Sequence, residues 1–191
     1  MKIRVRFILK VIGFCGLPGS GKSTALEIVK DLGTIINMGD VVRNEAIKKN
    51  IKLTDENLGQ LAINLRRKGG DEIIAKKCVD LIQSSPSEIV FVDGIRSPYE
   101  LDVFRKHWKF PLILIETDEE VRYQRIIERA RDDDSKSILD IKSREEREIG
   151  FGLLGLIRKA DYVIKNNSTV KDLKKKIRKL IKDLIKNYDF L

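Results

Sequence analysis

Cysteine is scarce in this chain of 191 residues. Cys15 and Cys78 stand far apart, without the paired spacing of zinc or redox motifs, so a cysteine framework is excluded and two buried, reduced thiols are expected. The single histidine, His107, adjoins Trp108 and is expected to be structural. Proline is rare, and no Pro/Gly/Ser-rich stretch marks a linker, so residues 1–191 are expected to form one domain. No apolar run approaches a membrane span, and the short run Phe7–Ile12 is broken by Lys10, so neither a spanning helix nor a signal peptide is expected. The expectation is a cytoplasmic protein with no membrane partner.

Charge is abundant but unevenly placed. The net charge is +9, yet residues 1–10 hold four basic side chains and no acid, residues 171–191 hold eight basic and three acidic ones, and the stretch between them balances. A broad basic groove is therefore absent, and nucleic acid as a partner is allowed by the termini but not favoured. Leu173, Ile177, Leu180, Ile181, Leu184, Ile185 and Tyr188 recur at steps of three and four, which predicts a final helix from about Thr169 with one apolar stripe and lysines opposite. Packing of that stripe on a sheet is the reading preferred over attachment to a membrane surface.

Strands and helices alternate along the chain. Strands are expected within Phe7–Cys15, at Thr34–Asn37, Ile89–Asp93, Leu112–Ile115 and Tyr162–Ile164. Helices are expected at Asp40–Asn50, Asp55–Ser84 with a break at Gly69-Gly70, Tyr99–His107 and Asp118 towards Arg131. This order implies an α/β fold, a five-stranded and mainly parallel sheet covered on both faces.

The stretch Gly16-Leu17-Pro18-Gly19-Ser20-Gly21-Lys22-Ser23 matches the phosphate-binding pattern G-x-x-x-x-G-K-[ST], with a strand before it and a helix from Thr24 after it. Glycines let backbone N–H groups converge on phosphate oxygens, and the helix start adds partial positive charge. Lys22 is expected to reach the β- and γ-phosphates, and Ser23 to offer a hydroxyl to Mg²⁺. Asp93 ends an apolar strand beside this loop and is expected to hold a water on the same ion, the alternative being a cap on the following turn. Arg43 and Arg96 also follow strand ends, where guanidinium forks suit phosphate. Arg122, Arg125 and Arg129 share a helical face, and Asp132-Asp133-Asp134-Ser135 precedes Arg144 and Arg147. Surface pairing with Glu128, Glu145, Glu146 or Glu148 is the bland reading for each arginine taken alone.

At these residues, from about Lys10 to Val170, the chain resembles a nucleoside-monophosphate kinase of the adenylate-kinase type. Gly39-Asp40-Val41-Val42-Arg43 is similar to the family's Gly-Asp-x-hydrophobic-Arg segment, whose arginine holds the acceptor phosphate. Asp93-Gly94-Ile95-Arg96 resembles its Asp-Gly-Phe-Pro-Arg segment, one residue shorter. Gln124–Arg129 resembles the helix entering the lid. The resemblance implies that Arg125 stacks on the donor base, that Arg129 contacts the transferring phosphates, and that Arg131 and Arg144 stand for later lid arginines. It also implies acceptor-binding helices over about 38–85, a lid over about 125–150, and ATP with Mg²⁺. An archaeal family related to adenylate kinase and dephospho-CoA kinase is more similar still, through Asp93–Ser97, Thr54–Gly59 and Arg147–Gly152. The lost proline before Arg96 and a short lid without zinc-type cysteines depart from the adenylate-kinase pattern.

The function these features imply is transfer of a γ-phosphoryl group from ATP–Mg²⁺ to a small nucleotide, AMP first and dephospho-CoA as the alternative acceptor. The rivals are a P-loop ATPase and a nucleotide-binding module acting on RNA or ribonucleoprotein. A GTPase is disfavoured, because no Asn-Lys-x-Asp segment occurs.

Overall fold

A computed structural model describes residues 9–129 and 138–190. Its strands are β1 (Lys10–Cys15), β2 (Thr34–Asn37), β3 (Ile89–Asp93), β4 (Leu112–Glu116) and β5 (Tyr162–Lys165). They form one sheet in the order β2-β3-β1-β4-β5, and every pairing is parallel. β1 lies at the centre, and the chain builds first to one side of it and then to the other, which leaves a crevice at the carboxyl edge.

The alternation along the strands explains the two cores. Val11 and Cys15 of β1, Val90 and Val92 of β3, and Leu112 and Leu114 of β4 face one cluster. Ile12 and Phe14, Phe91, and Ile113 and Ile115 face the other. The first cluster is covered by α2 (Met38–Lys48), α3 (Asp55–Gly69), α4 (Ile73–Gln83), α5 (Pro98–His107) and α8 (Leu153–Ile157). The second is covered by α1 (Lys22–Val29) and α9 (Val170–Asn187). Both thiols are buried and free, and burial raises each pKa to about 12.

The last helix packs as its stripe predicts. Leu173, Ile177, Ile181, Leu184 and Tyr188 are buried on the sheet, and Arg178 grips Asp31 through two bonds of 3.0 and 2.7 Å. Two expectations need adjustment. α2 begins at Met38, two residues early, because Asn37 caps it by accepting the Gly39 N–H at 2.8 Å. α6 (Glu119–Arg129) is followed by α7 (Ile138–Gly150), and α8 follows in turn; neither α7 nor α8 was legible as a helix. Phe7, Ile8 and the basic residues Lys2, Arg4 and Arg6 lie outside the described residues. Among the described residues, no helix is long and apolar enough to cross a membrane.

Tyr188 ties the final turn to the first strand: its hydroxyl accepts the Val11 N–H at 2.9 Å and also meets the Lys109 carbonyl. Tyr188→Phe removes that acceptor and leaves a buried N–H unpaired. We expect a loss of about 1–3 kcal/mol in urea unfolding, with no change at the glycine loop, which follows the other end of β1.

Candidate functional site

The loop from Gly16 to Gly21 joins β1 to α1. Gly21 caps α1 at φ 97°, a left-handed conformation, and a β-carbon there would strike the Asn166 side chain. At Gly19, with φ 78°, a β-carbon would lie 2.5 Å from the Arg122 carbonyl oxygen. The loop is held from outside by its carbonyls. The Ser20 carbonyl accepts from Thr117 Oγ1 at 2.9 Å and Asn166 Nδ2 at 2.8 Å, and the Pro18 carbonyl accepts from Arg122 at 3.0 Å. α1 has no side-chain cap, so its first N–H groups open towards the cleft.

That cleft, about 400 Å³, is lined by Gly16, Pro18 through Thr24, Asp93 and Arg125. Leu17 is an exception among the loop residues singled out above: it turns away and packs on the apolar cluster. Lys22 Nζ donates to the Gly16 and Leu17 carbonyls at 2.6 and 3.2 Å. Burial lowers its pKa, and the nearby Asp93 and Glu148 carboxylates oppose that shift. Asp93 is 9% exposed, and its Oδ1 is buried without a hydrogen-bond partner. Arg125 reaches the same cleft with a buried guanidinium nitrogen that also lacks one.

A second, smaller cavity of about 90 Å³ lies between α2, α3 and α7. Its apolar wall includes Met38, Val42, Leu58 and Phe151, and five arginines line it: Arg43, Arg66, Arg96, Arg144 and Arg147. Each has a carboxylate partner. Arg43 donates to Asp40 at 2.7 Å; Asp40 is exposed and lines neither cavity. Arg147 donates to Asp55 at 2.6 Å, with Arg144 3.7 Å from the same carboxylate. Arg66 donates to the fully buried Glu100 at 2.6 Å and lies 4.1 Å from the Phe151 ring centre. Glu100 also accepts the Arg96 backbone N–H at 2.7 Å, which fixes the chain just after Gly94. The Arg96 guanidinium donates to the Gly94 carbonyl at 3.1 Å and to Glu148 at 3.3 Å.

The two cavities share one wall. Gly39, Arg43, Gly94, Arg96, Arg144 and Glu148 line both. The structure thus brings together the glycine loop, Asp93, Gly39, Arg43, Gly94, Arg96, Arg125 and Arg144. Arg122, on the same face of α6 as Arg125, is 2% exposed and bridges Pro18 to Glu145. The backbone of Arg129 ends α6, while Arg131 and the acidic run 132–134 lie outside the described residues.

Sequence reasoning missed four residues here. Asn166 follows β5 and lines the larger cleft; Arg66, Glu100 and Glu148 are buried ions. Glu100 alone had a local signal, Ser97-Pro98-Tyr99-Glu100, which has the form of a capping box. Glu148 is one carboxylate in the run Arg144–Glu148, and it was weighed only as a surface partner. Burial works against its ionisation, but Arg96, Lys22 and Arg144 hold its pKa down from 4.5 to about 2.

The geometry agrees with the comparisons with known proteins. An AAA domain family matches residues 15–142. A UPF0200 protein of Methanocaldococcus jannaschii is 40% identical over 94% of this chain and 92% of its own length. Another, from Methanothermobacter thermautotrophicus, is 38% identical over 91% of this chain and 90% of its own. A UPF0200/UPF0201 protein of Archaeoglobus fulgidus is 44% identical, and the chain spans only 58% of that longer relative. Among solved structures, TT1252 from Thermus thermophilus superposes with a TM-score of 0.63 at 18% identity, covering 92% of this chain and 97% of that one. Shikimate kinase from Aquifex aeolicus gives 0.53 at 15% identity, covering 91% and 96%. At such identities the likeness is one of fold alone.

The depressed pKa of Glu148 has a consequence for stability. A carboxylate more acidic folded than unfolded stabilises the fold fully above its unfolded pKa of 4.5, and that contribution is lost as the pH falls towards about 2. Urea unfolding between pH 6 and 2.5 should show a steep acid limb, and Glu148→Gln should flatten it. An unchanged slope in the variant would contradict the assignment.

Proposed function

The chain belongs to the UPF0200 family, and we propose that it is a phosphotransferase, passing the γ-phosphoryl group of ATP to a small anionic acceptor, with AMP the first to test. The observation that carries this reading is the seam. A phosphate-loop cleft and an arginine-lined cavity share one wall, at the carboxyl edge of the sheet. A nucleotide triphosphate in the first would point its terminal phosphate at whatever the second holds.

Asp93 and Ser23 suit Mg²⁺, which takes one or two protein oxygens and completes its shell with phosphates and water; the partnerless Asp93 Oδ1 is what such a site requires. When bound, the ion would neutralise charge on the donor phosphates. Lys22 would exchange the Gly16 and Leu17 carbonyls for phosphate oxygens. The first N–H groups of α1 would take the remaining oxygens. Arg125, with its buried unpaired nitrogen, would sit against the donor. Arg129, Arg131 and Arg144 are proposed to meet the migrating group. Gly39, Asp40, Arg43, Gly94 and Arg96 would form the acceptor side, with Arg43 and Arg96 on its anion and Asp40 holding Arg43. Positioning and charge neutralisation account for catalysis of this kind.

A cavity of about 90 Å³ does not enclose a nucleoside monophosphate, so AMP requires α3 and α7 to part at Arg147–Asp55. The same volume favours a second reading, an acceptor smaller than a nucleotide.

The test is a panel. Protein with ATP–Mg²⁺ or GTP–Mg²⁺ is offered AMP, CMP, UMP, GMP, dTMP, dephospho-CoA and small phosphorylated or carboxylated alcohols, one at a time. We expect acceptor-dependent ATP loss, at least about a hundredfold slower in Lys22→Ala. Arg43→Ala should raise the acceptor KM by about ten- to a hundredfold and leave the ATP KM alone. ATP loss indifferent to every acceptor would overturn the phosphotransferase and favour an ATPase.

A further inference from the structure

Glu148 is a buried carboxylate on the seam where the two cavities meet. The same wall carries three guanidiniums, those of Arg43, Arg96 and Arg144. A carboxylate is expensive to bury unless its partners are good. Here they are under-filled: Glu148 Oε1 is 3.3 Å from Arg96 and 3.5 Å from Arg144, against about 2.7–2.9 Å for a well-formed charge-assisted bond. A flat monoanion spans two forked donors poorly, whereas a tetrahedral phosphate could meet both at full contact. α7, which carries Glu148, is also held away from the Arg147–Asp55 pair: Glu145 takes Arg122 at 2.6 Å, and Ile141 is 1% exposed. The carboxylate can therefore leave the seam without releasing its helix.

We propose that Glu148 is a resident anion that keeps Arg96 and Arg144 together in the acceptor-free pocket and yields them to the acceptor's phosphate. It is a positioning residue and also a specificity device. An acceptor with its own anion replaces the carboxylate, while a neutral one such as a nucleoside leaves the arginines with Glu148 and gains nothing from them. The inference rests on the phosphotransferase reading, but its test needs no turnover.

Inorganic phosphate is the probe, titrated by calorimetry without nucleotide into the wild type, Glu148→Gln, Glu148→Asp and the pair Glu148→Gln with Arg96→Ala. Because Glu148 and Arg96 also act on Lys22, each of the four is measured again with Lys22→Ala, and only a difference that survives there counts for the proposal. Glu148→Gln should bind phosphate about tenfold more tightly than the wild type, Glu148→Asp should stay within about twofold of it, and Arg96→Ala should abolish the gain. Melting gives the second readout: phosphate should raise the Tm of Glu148→Gln more than that of the wild type, because it replaces the missing anion. If Glu148→Gln does not fold alone, it should fold in millimolar phosphate. Equal or weaker phosphate binding in Glu148→Gln, a gain that persists without Arg96, or a variant that stays unfolded in phosphate would overturn the proposal. If binding behaves as expected and no acceptor is phosphorylated, the phosphotransferase reading falls and the anion site stands.

Discussion

Cations converge on the carboxyl edge of one parallel sheet, and the structure around them is arranged to contain their repulsion. Lys22, Arg43, Arg96, Arg144 and Arg147 come from four different elements, and each faces a carboxylate or a row of carbonyls. Without those partners the positive field would oppose closure of α2, α3 and α7 over the sheet. With them, the site is charged, compact and pre-paid for an anion. On the proposed function, an incoming phosphate would exchange partners with groups already desolvated, which is the preorganisation that phosphoryl transfer exploits.

The apolar sheet makes this arrangement possible. Burial on both faces fixes β1 between β3 and β4, so Asp93 is delivered beside the glycine loop by strand register alone. The loop carbonyls are then tied down by Thr117, Asn166 and Arg122, which come from three later parts of the chain. The loop's own sequence supplies its curvature, and distant residues supply its rigidity. Glu100 plays the corresponding part on the other side of the seam, holding both the Arg96 backbone and the Arg66 guanidinium.

What could be read in the sequence follows from how local each cause is. Ile89–Asp93 was legible because burial on both faces leaves an unbroken apolar run ending in an acid. The glycine loop was legible because close approach and left-handed turns admit little but glycine at Gly19 and Gly21. α9 was legible from its stripe. α7 was not: of its thirteen residues Ile138–Gly150, only Ile141 and Glu148 are buried. One partner of Glu148, Arg96, lies 52 residues away and that of Arg147 lies 92 away, so a segment organised by ion pairs reads as an ordinary solvated surface. Arg66 was hidden for the same reason, since its counter-ion Glu100 is 34 residues on. The arginines at strand ends could be found, but the burial of Glu148 against Arg96 could not.

The central claim is that the terminal phosphate of a donor in the glycine-loop cleft goes to a small molecule in the arginine-lined cavity. The most direct measurement follows the label from γ-³²P-ATP with Mg²⁺ in the presence of a protein-free small-molecule extract, with Lys22→Ala run alongside. The account predicts label in a discrete small compound that depends on the extract and is absent from the variant. Label recovered only as inorganic phosphate, at a rate the extract does not change, would contradict it.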